Sequence, residues 1–163
     1  MKTMKGNPVT VLGNPLKVGD KALDFTAVDN DLNEVSFFSN FKNLHTLISV
    51  VPSLDTSVCD MQTRTINERL ANYKNLDFIT ISNDLPFAQK RWCGANGLNI
   101  HTLSDHKHLD FAMKYGVLIE ELRLLARAVF VLDENRKVIY VEYLDEMSKH
   151  PNYDKLFEFL DKL

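Results

Sequence analysis

Cysteine is scarce in this sequence of 163 residues, which contains only Cys59 and Cys93. Two cysteines are too few for the disulfide framework of a small secreted domain. No Cys-x-x-Cys pair is present, so a thioredoxin-type dithiol and a zinc ribbon both lose their main support. If Cys59 and Cys93 pair, we therefore expect the bond to be catalytic or regulatory rather than structural.

Long apolar runs and basic stretches are also missing. The longest apolar runs, at Val50-Val51 and Ala128–Leu132, fall far short of the ~20 residues that a membrane span requires. The N-terminus carries positive charge, but no apolar stretch follows it as a signal peptide would require. The net charge of −3 and the lack of a basic stripe make nucleic acid a poor partner. We expect a cytoplasmic protein that binds neither nucleic acid nor membrane.

The first part of the chain is predicted to be rich in β-structure. Val9–Leu12 and Leu16–Val18 flank the turn-forming residues Gly13-Asn14-Pro15, which predicts an N-terminal β-hairpin. Phe25–Val28 and Glu34–Phe37 flank a polar turn and predict a second hairpin.

Strands and helices alternate in the rest of the chain. The further predicted strands are Leu44–Val51, Phe78–Ser82, Ile100–Leu103, Ala128–Leu132 and Val138–Tyr143. The predicted helices begin just before Cys59, run from Pro86 through Cys93 to a stop at Gly94 and Gly97, and cover Leu109–Tyr115 and Tyr153–Leu163. This order predicts one α/β domain over residues 1–163, with a mixed sheet flanked by helices.

Cys59 lies where a buried strand gives way to a helix, with Thr56 or Ser57 as the N-cap. The unpaired N–H groups and partial positive charge of a helix N-terminus favour a thiolate, which is the nucleophilic form of cysteine. The neighbouring Asp55 and Asp60 would oppose this, and we expect both to point to solvent or to cap backbone donors. The alternative is an inert, buried cysteine, because free cysteine is often buried.

Several motifs resemble the peroxiredoxin family, in particular its thiol peroxidase branch. Pro52-x-x-x-Thr56-x-x-Cys59 resembles the Pro-x-x-x-Thr/Ser-x-x-Cys motif of the family. The other matching stretches are Ser82-x-Asp84-Leu85-Pro86-Phe87-Ala88-Gln89-x-Arg91-Trp92-Cys93, Thr102-Leu103-Ser104-Asp105 and Leu125-Ala126-Arg127-Ala128-Val129-Phe130-Val131-Leu132-Asp133. One departure is Leu23, where the family often has proline, and we expect it to affect loop stiffness rather than activity.

The resemblance implies a thioredoxin-like fold of the peroxiredoxin type and a role for five residues. Cys59 is then the peroxidatic cysteine, which attacks a hydroperoxide and becomes a sulfenic acid. Thr56 would direct its hydroxyl at the sulfur and the peroxide, or serve only as the N-cap. Pro52 would shield the nucleophile from water, or only end the strand. Arg127 would hold the thiolate and polarise the peroxide, or be an exposed arginine at the end of a strand.

Cys93 is implied to be the resolving cysteine, which forms an intrachain disulfide with Cys59. Because disulfide geometry requires Cα atoms within about 7 Å, we expect one or both helix ends to unfold during turnover. The alternative for Cys93 is a core cysteine. The family also implies recycling by thioredoxin or a similar dithiol reductant, a homodimer and a role in antioxidant defence.

Other functions have weaker support in the sequence. No cofactor or metal is expected, and His106-Lys107-His108 lies in a charged stretch typical of solvent-exposed residues. Arg123 is expected to be a surface residue. Two rival functions remain at this point, namely a peroxide-sensing switch or holdase with slow turnover, and a non-redox binding domain with two inert cysteines.

Overall fold

The computed structural model describes residues 1–42, 45–96 and 101–163. Within these ranges the chain forms twelve strands and five helices. The strands are β1 (Lys2–Met4), β2 (Asn7–Val9), β3 (Val11–Leu12), β4 (Thr26–Val28), β5 (Glu34–Ser36), β6 (His45–Val50), β7 (Leu76–Ser82), β8 (His101–Ser104), β9 (Leu118–Ile119), β10 (Leu124–Leu125), β11 (Ala128–Leu132) and β12 (Val138–Tyr143). The helices are α1 (Phe37–Asn40), α2 (Ser57–Leu70), α3 (Pro86–Asn96), α4 (Asp110–Tyr115) and α5 (Tyr153–Asp161).

A mixed sheet of seven strands forms the centre of the molecule. Its strand order is β12-β11-β6-β7-β8-β4-β5. The pairs β6–β7 and β7–β8 are parallel, and the other pairs in this sheet are antiparallel. The two short sheets are the hairpin β1-β2 and the three strands β10-β9-β3. The predicted mixed sheet is therefore confirmed.

Apolar side chains cover both faces of the central sheet, because alternate residues of a strand point to opposite faces. Ile48 and Val50 of β6 join a core that includes Phe111 and Tyr115 of α4. Leu47 of β6 joins the opposite core, which includes residues of α2 and α5, namely Ile66, Leu70, Leu156 and Leu160. β6 and β11 are therefore packed on both faces. Pro52, Thr56 and Cys59 follow β6, and Arg127 directly precedes β11.

The N-terminal hairpin is present, but it lies earlier in the chain than the sequence predicted. β1 pairs with β2 around Lys5-Gly6, whose φ values are both positive, at 50° and 81°. Two positive φ values at a two-residue loop match the type I′ turn that suits a hairpin. Val11–Leu12 instead pairs with β9, and no strand forms at Leu16–Val18.

Most other predicted elements are confirmed, with shifts at their ends. The second hairpin forms as β4 and β5, with Phe37 at the start of α1 instead of the strand. Helix α3 continues through Gly94, which was predicted to stop it. Gly116 closes α4 in the left-handed conformation, as expected of a glycine after a helix end. Leu44, Gly97 and Ile100, which the predictions included, lie outside the described residues.

Candidate active site

Cys59 lies in the first turn of α2, close behind the end of β6. Its side chain is fully buried, with no solvent-exposed surface. Thr56 is the N-cap of this helix, as predicted, but its side chain makes no capping hydrogen bond. The thiol therefore lies at a helix N-terminus and is shielded from solvent. Its reactivity depends on the groups that contact the sulfur.

Arg127 is the polar group in contact with the Cys59 sulfur. Only 2% of its surface is exposed. The alternative prediction, an exposed arginine at the end of a strand, is therefore wrong. Its Nη2 donates to the Cys59 Sγ at 3.0 Å, Nη1 to the Gln62 Oε1 at 2.7 Å, and Nε to the Met147 carbonyl at 2.9 Å. None of these three acceptors is a carboxylate. A buried cation is stabilised by a negative charge close to it, and a Cys59 thiolate would supply that charge.

Gln62 fixes the guanidinium from the same helix that carries Cys59. It is fully buried, and its Nε2 donates to the Ser49 Oγ at 2.7 Å. The sequence-based reasoning missed this residue. A signal was present, because Gln62 lies three residues after Cys59, on the buried face of α2 that also includes Thr63, Ile66 and Leu70. A polar side chain on such a face needs a buried partner.

Thr56 is exposed in this arrangement. Its hydroxyl donates to the Ser53 carbonyl at 3.0 Å, and its N–H is directed at the same oxygen at 3.3 Å. The structure thus brings Thr56 to the mouth of the site without a hydrogen bond from its hydroxyl to the sulfur. Its predicted contact with the sulfur and a peroxide stays a prediction.

A cavity of about 530 Å³ lies over the site. Pro52, Thr56 and Arg127 line it together, and Pro52 is buried. The other lining residues are mainly apolar or small, namely Met4, Lys5, Ser53, Ser57, Val58, Leu122, Leu124, Met147 and Ser148. A small molecule in this cavity reaches Arg127, whose Nη2 contacts the Cys59 sulfur. Four of the five predicted site residues therefore meet at one place.

Cys93, the fifth, lies in α3 and is a free thiol, like Cys59. It is half-buried and packs against an apolar cluster of Val51, Leu54, Cys59 and Trp92. Its sulfur lies 3.7 Å from the Thr102 Oγ1. Burial raises the pKa of the Cys93 thiol above its ordinary value, against the opposing hydrogen bonds of Thr102 and Asn30.

Asp60 joins the two helices that carry the cysteines. It accepts hydrogen bonds from the Trp92 Nε1 of α3 and from the Arg64 Nε of α2, both at 2.9 Å. The guanidinium of Arg64 also lies over the Trp92 ring, 5.8 Å from its centroid. The expectation that Asp60 points to solvent or caps a backbone donor is therefore wrong, because the indole and guanidinium take up its carboxylate. Asp55 is exposed, as expected.

The residues set aside on sequence grounds lie at the surface. Arg123 is exposed, and so are His106, Lys107 and His108. The imidazole of His108 and the ammonium of Lys107 both contact Glu34. Among the residues in the described ranges, no group of three or more His, Cys, Asp or Glu side chains could hold a metal ion.

Proteins of a known family are similar in sequence to this chain over nearly its whole length. The redoxin family profile matches residues 17–157. The thiol peroxidase of Oceanobacillus iheyensis is 56% identical over 161 residues, which cover 98% of each chain. The thiol peroxidase of Bacillus subtilis is 56% identical over 157 residues, which cover 96% of this chain and 93% of that protein. This chain belongs to the redoxin family, within its thiol peroxidase group.

Solved structures agree with the assignment to the redoxin family. A peroxiredoxin-like protein from Aquifex aeolicus has a TM-score of 0.90 and 41% identity, covering 99% of this chain and 95% of its own. A thiol peroxidase from Chromobacterium violaceum has a TM-score of 0.89 and 26% identity, with the same coverage. The predicted thioredoxin-like fold of the peroxiredoxin type is confirmed.

Leu23 and the lengths of the helices bear on two further expectations from the sequence. Leu23, which replaces the proline often found in the peroxiredoxin family, is 48% exposed, and its carbonyl accepts a hydrogen bond from the Tyr115 hydroxyl at 2.8 Å. In the part of the chain that the structure describes, no helix is both long and apolar enough to cross a membrane.

Proposed function

We propose that this redoxin is a thiol-dependent peroxidase that reduces hydrogen peroxide and alkyl hydroperoxides at Cys59. The contact between the buried Arg127 guanidinium and the Cys59 sulfur, at 3.0 Å, carries the proposal. A guanidinium stays charged and presents several donors in a fixed plane, so it can hold a thiolate and an adjacent peroxide oxygen together.

The first step is the attack of the Cys59 thiolate on one peroxide oxygen. The S–O bond forms as the O–O bond breaks, and the second oxygen leaves with the electron pair and takes a proton to become water or an alcohol. Cys59 is left as a sulfenic acid. Arg127 stabilises the charge that moves from sulfur to oxygen. Pro52 excludes water from the sulfur, and Thr56 orients the peroxide from the mouth of the cavity.

The second step is the attack of the Cys93 thiolate on the Cys59 sulfenic acid. An S–S bond forms, the S–O bond breaks, and the hydroxide that leaves takes a proton to become water. Thr102 lies in β8 and Arg127 directly precedes β11, and β6 and β7 separate these strands. The two cysteines lie on different helices, α2 and α3, and their sulfurs contact different partners, Arg127 and Thr102. A disulfide requires Cα atoms within about 7 Å of each other. In this step at least one cysteine leaves its present partner, with local unfolding at the end of its helix.

The cycle closes when a thioredoxin-like dithiol reduces the Cys59–Cys93 disulfide by thiol exchange. This proposal includes antioxidant defence in the cytoplasm as the role of the enzyme. It also includes a homodimer as its assembly, as the family resemblance implies.

Single-cysteine variants test the two steps separately. Cys59→Ser should abolish peroxide consumption in the presence of thioredoxin, thioredoxin reductase and NADPH. Cys93→Ser should still form one sulfenic acid per chain, detected with a dimedone probe by mass spectrometry, but should lose sustained turnover with thioredoxin. Sustained turnover by Cys59→Ser would contradict the proposal. Stoichiometric oxidation of the unmodified protein without sustained turnover would instead favour a peroxide-sensing switch.

A further inference from the structure

Asp84 lies between the end of β7 and the start of α3, and the steps proposed so far give it no part. Its carboxylate accepts three hydrogen bonds. The donors are the Ser53 Oγ at 2.7 Å, the Leu54 N–H at 2.8 Å and the Ser82 Oγ at 2.8 Å. Two of these donors belong to the loop that connects Pro52 to Cys59. Asp84 therefore binds the loop that precedes the reactive cysteine.

One arm of this contact leads from Asp84 to Thr56. The Asp84 carboxylate accepts a hydrogen bond from the Ser53 side chain. The Ser53 carbonyl in turn accepts hydrogen bonds from the hydroxyl and the N–H of Thr56. The Thr56 carbonyl in turn accepts from the Asp60 N–H at 2.9 Å, at the start of α2. Ser53 and Thr56 both line the cavity over the site. Asp84 is thus linked to the Thr56 side chain through Ser53.

The other arm leads from Asp84 to the sulfur's apolar surroundings. Asp84 fixes the backbone N–H of Leu54, whose side chain is 3% exposed and packs in one cluster with Cys59 and Trp92. Leu54 thus packs with Cys59, which lies in the first turn of α2. Asp84 therefore restrains the loop on its cavity side and on its core side.

The hydrogen bonds of the Asp84 carboxylate are not those of an N-cap of α3. Asp84 lies just before α3, where aspartate is a common capping residue. The three donors to its side chain come instead from Ser53, Leu54 and Ser82. In addition, the Asp84 carbonyl accepts from the Ser104 Oγ at 2.6 Å, which fixes its backbone to β8. The residue is anchored to the sheet and directed at the loop.

We propose that Asp84 is a positioning residue for the reaction of Cys59 with peroxide. It acts through Ser53 and Leu54, which hold Thr56 and the start of α2 in the geometry that the reaction needs. This inference rests on the proposed peroxidase function. It adds to the site a residue that follows β7, whereas Cys59 lies beyond the end of β6 and Arg127 directly precedes β11.

Asp84→Asn is the principal variant. An amide keeps one acceptor oxygen but replaces the second with a donor group, so the three hydrogen bonds cannot all persist. We expect the second-order rate constant for oxidation of Cys59 by hydrogen peroxide to fall at least tenfold. Stopped-flow fluorescence of Trp92 measures this rate constant. Ser53→Ala removes a single donor and should lower the rate about threefold. Asp55→Asn, in the same loop but exposed, is the matched control and should stay within twofold.

A second readout separates positioning from general loosening of the structure. Alkylation of Cys93 by iodoacetamide, measured in a Cys59→Ser background, should change less than twofold when Asp84→Asn is added. Faster alkylation would mean that the substitution loosens α3 as a whole, and it would overturn the proposal. Circular dichroism and thermal unfolding check that each variant is folded, and if Asp84→Asn does not fold, Ser53→Ala decides.

The outcomes distinguish this inference from the proposed function. If the unmodified protein does not react with hydrogen peroxide, the peroxidase function itself fails. If it reacts and a folded Asp84→Asn variant reacts within twofold of it, the peroxidase function stands and the role of Asp84 is refuted. If Ser53→Ala and Asp55→Asn lose the same factor, the specific contact with Asp84 is also refuted.

Discussion

The two cysteines occupy different electrostatic surroundings, although they pack against the same apolar cluster. Cys59 has no exposed surface, and its sulfur receives a hydrogen bond from the buried guanidinium of Arg127. Cys93 is half-buried, and its sulfur lies beside the neutral hydroxyl of Thr102 at 3.7 Å. The Cys59 sulfur therefore contacts a cationic donor, whereas burial raises the pKa of the Cys93 thiol. We therefore expect Cys59 to react with peroxide in its present position, and Cys93 to become more reactive when it is exposed to water.

We expect this difference to set the order of the two proposed reactions. A peroxide in the cavity would meet Arg127, which lines it and contacts the Cys59 sulfur. Cys93 becomes a good nucleophile only when it is ionised, which its present burial disfavours. The local unfolding proposed for the second step would then bring the two sulfurs together and expose Cys93 to water at the same time.

The largest effect is expected from removing the positive charge of Arg127 beside the Cys59 sulfur. Arg127→Met should lower the rate constant for Cys59 oxidation by hydrogen peroxide about 10²-fold to 10³-fold, because a donor aimed at developing charge contributes on that scale. Stopped-flow mixing of the reduced protein with peroxide measures it. Arg123→Met, at an exposed arginine four residues earlier, is the control and should change the rate less than twofold. A comparable loss in that control would remove the special role of Arg127.

The pH dependence of disulfide formation tests where Cys93 reacts from. The raised pKa of the folded thiol means that less thiolate is present at neutral pH, so the rate should rise about tenfold per pH unit above neutrality. If Cys93 reacts after local unfolding, the rise should level off near pH 8.5, the ordinary pKa of an exposed cysteine. Quenched-flow alkylation with mass spectrometry follows the sulfenic acid as it converts to the disulfide.

A continued rise well beyond pH 8.5, with a folded protein, would mean that Cys93 attacks from its buried position. That result would remove the link between unfolding and activation of the second thiol. The first step, oxidation of Cys59, serves as the internal control, since it is measured in the same samples.

A smaller effect is expected at the contact between the two helices. Trp92→Phe keeps a ring but removes the indole N–H that donates to Asp60. Because Asp60 is partly exposed, with 34% of its side chain accessible, solvent weakens this hydrogen bond. Disulfide formation should therefore speed up only about threefold to tenfold, measured by quenched-flow mass spectrometry. Oxidation of Cys59 should stay within twofold.

Phe87→Leu is the matched control for Trp92→Phe, because Phe87 is on the same helix but 67% exposed. It should leave both steps within twofold. Unchanged disulfide formation in Trp92→Phe would show that the contact between Asp60 and Trp92 does not restrain the second step.

The sequence predicted the cysteines, Pro52, Thr56 and Arg127 through family motifs, and the structure brings the last three to one cavity with Cys59 behind Arg127. It did not predict Gln62 or Asp84 as partners, because a hydrogen bond depends on how helices and loops pack, which local patterns do not specify. The N-terminal hairpin was misplaced for a local reason. Gly13-Asn14-Pro15 is a stronger turn signal than Lys5-Gly6, and a lysine with positive φ is hard to anticipate.

The most direct test of the difference between the two thiols is their separate reaction with hydrogen peroxide. Cys93→Ser leaves only Cys59, and Cys59→Ser leaves only Cys93. Stopped-flow or competition kinetics on the two reduced, folded variants should give rate constants that differ by at least about 10³-fold in favour of Cys59, in line with the scale of electrostatic stabilisation. Rate constants within tenfold of each other would contradict the account.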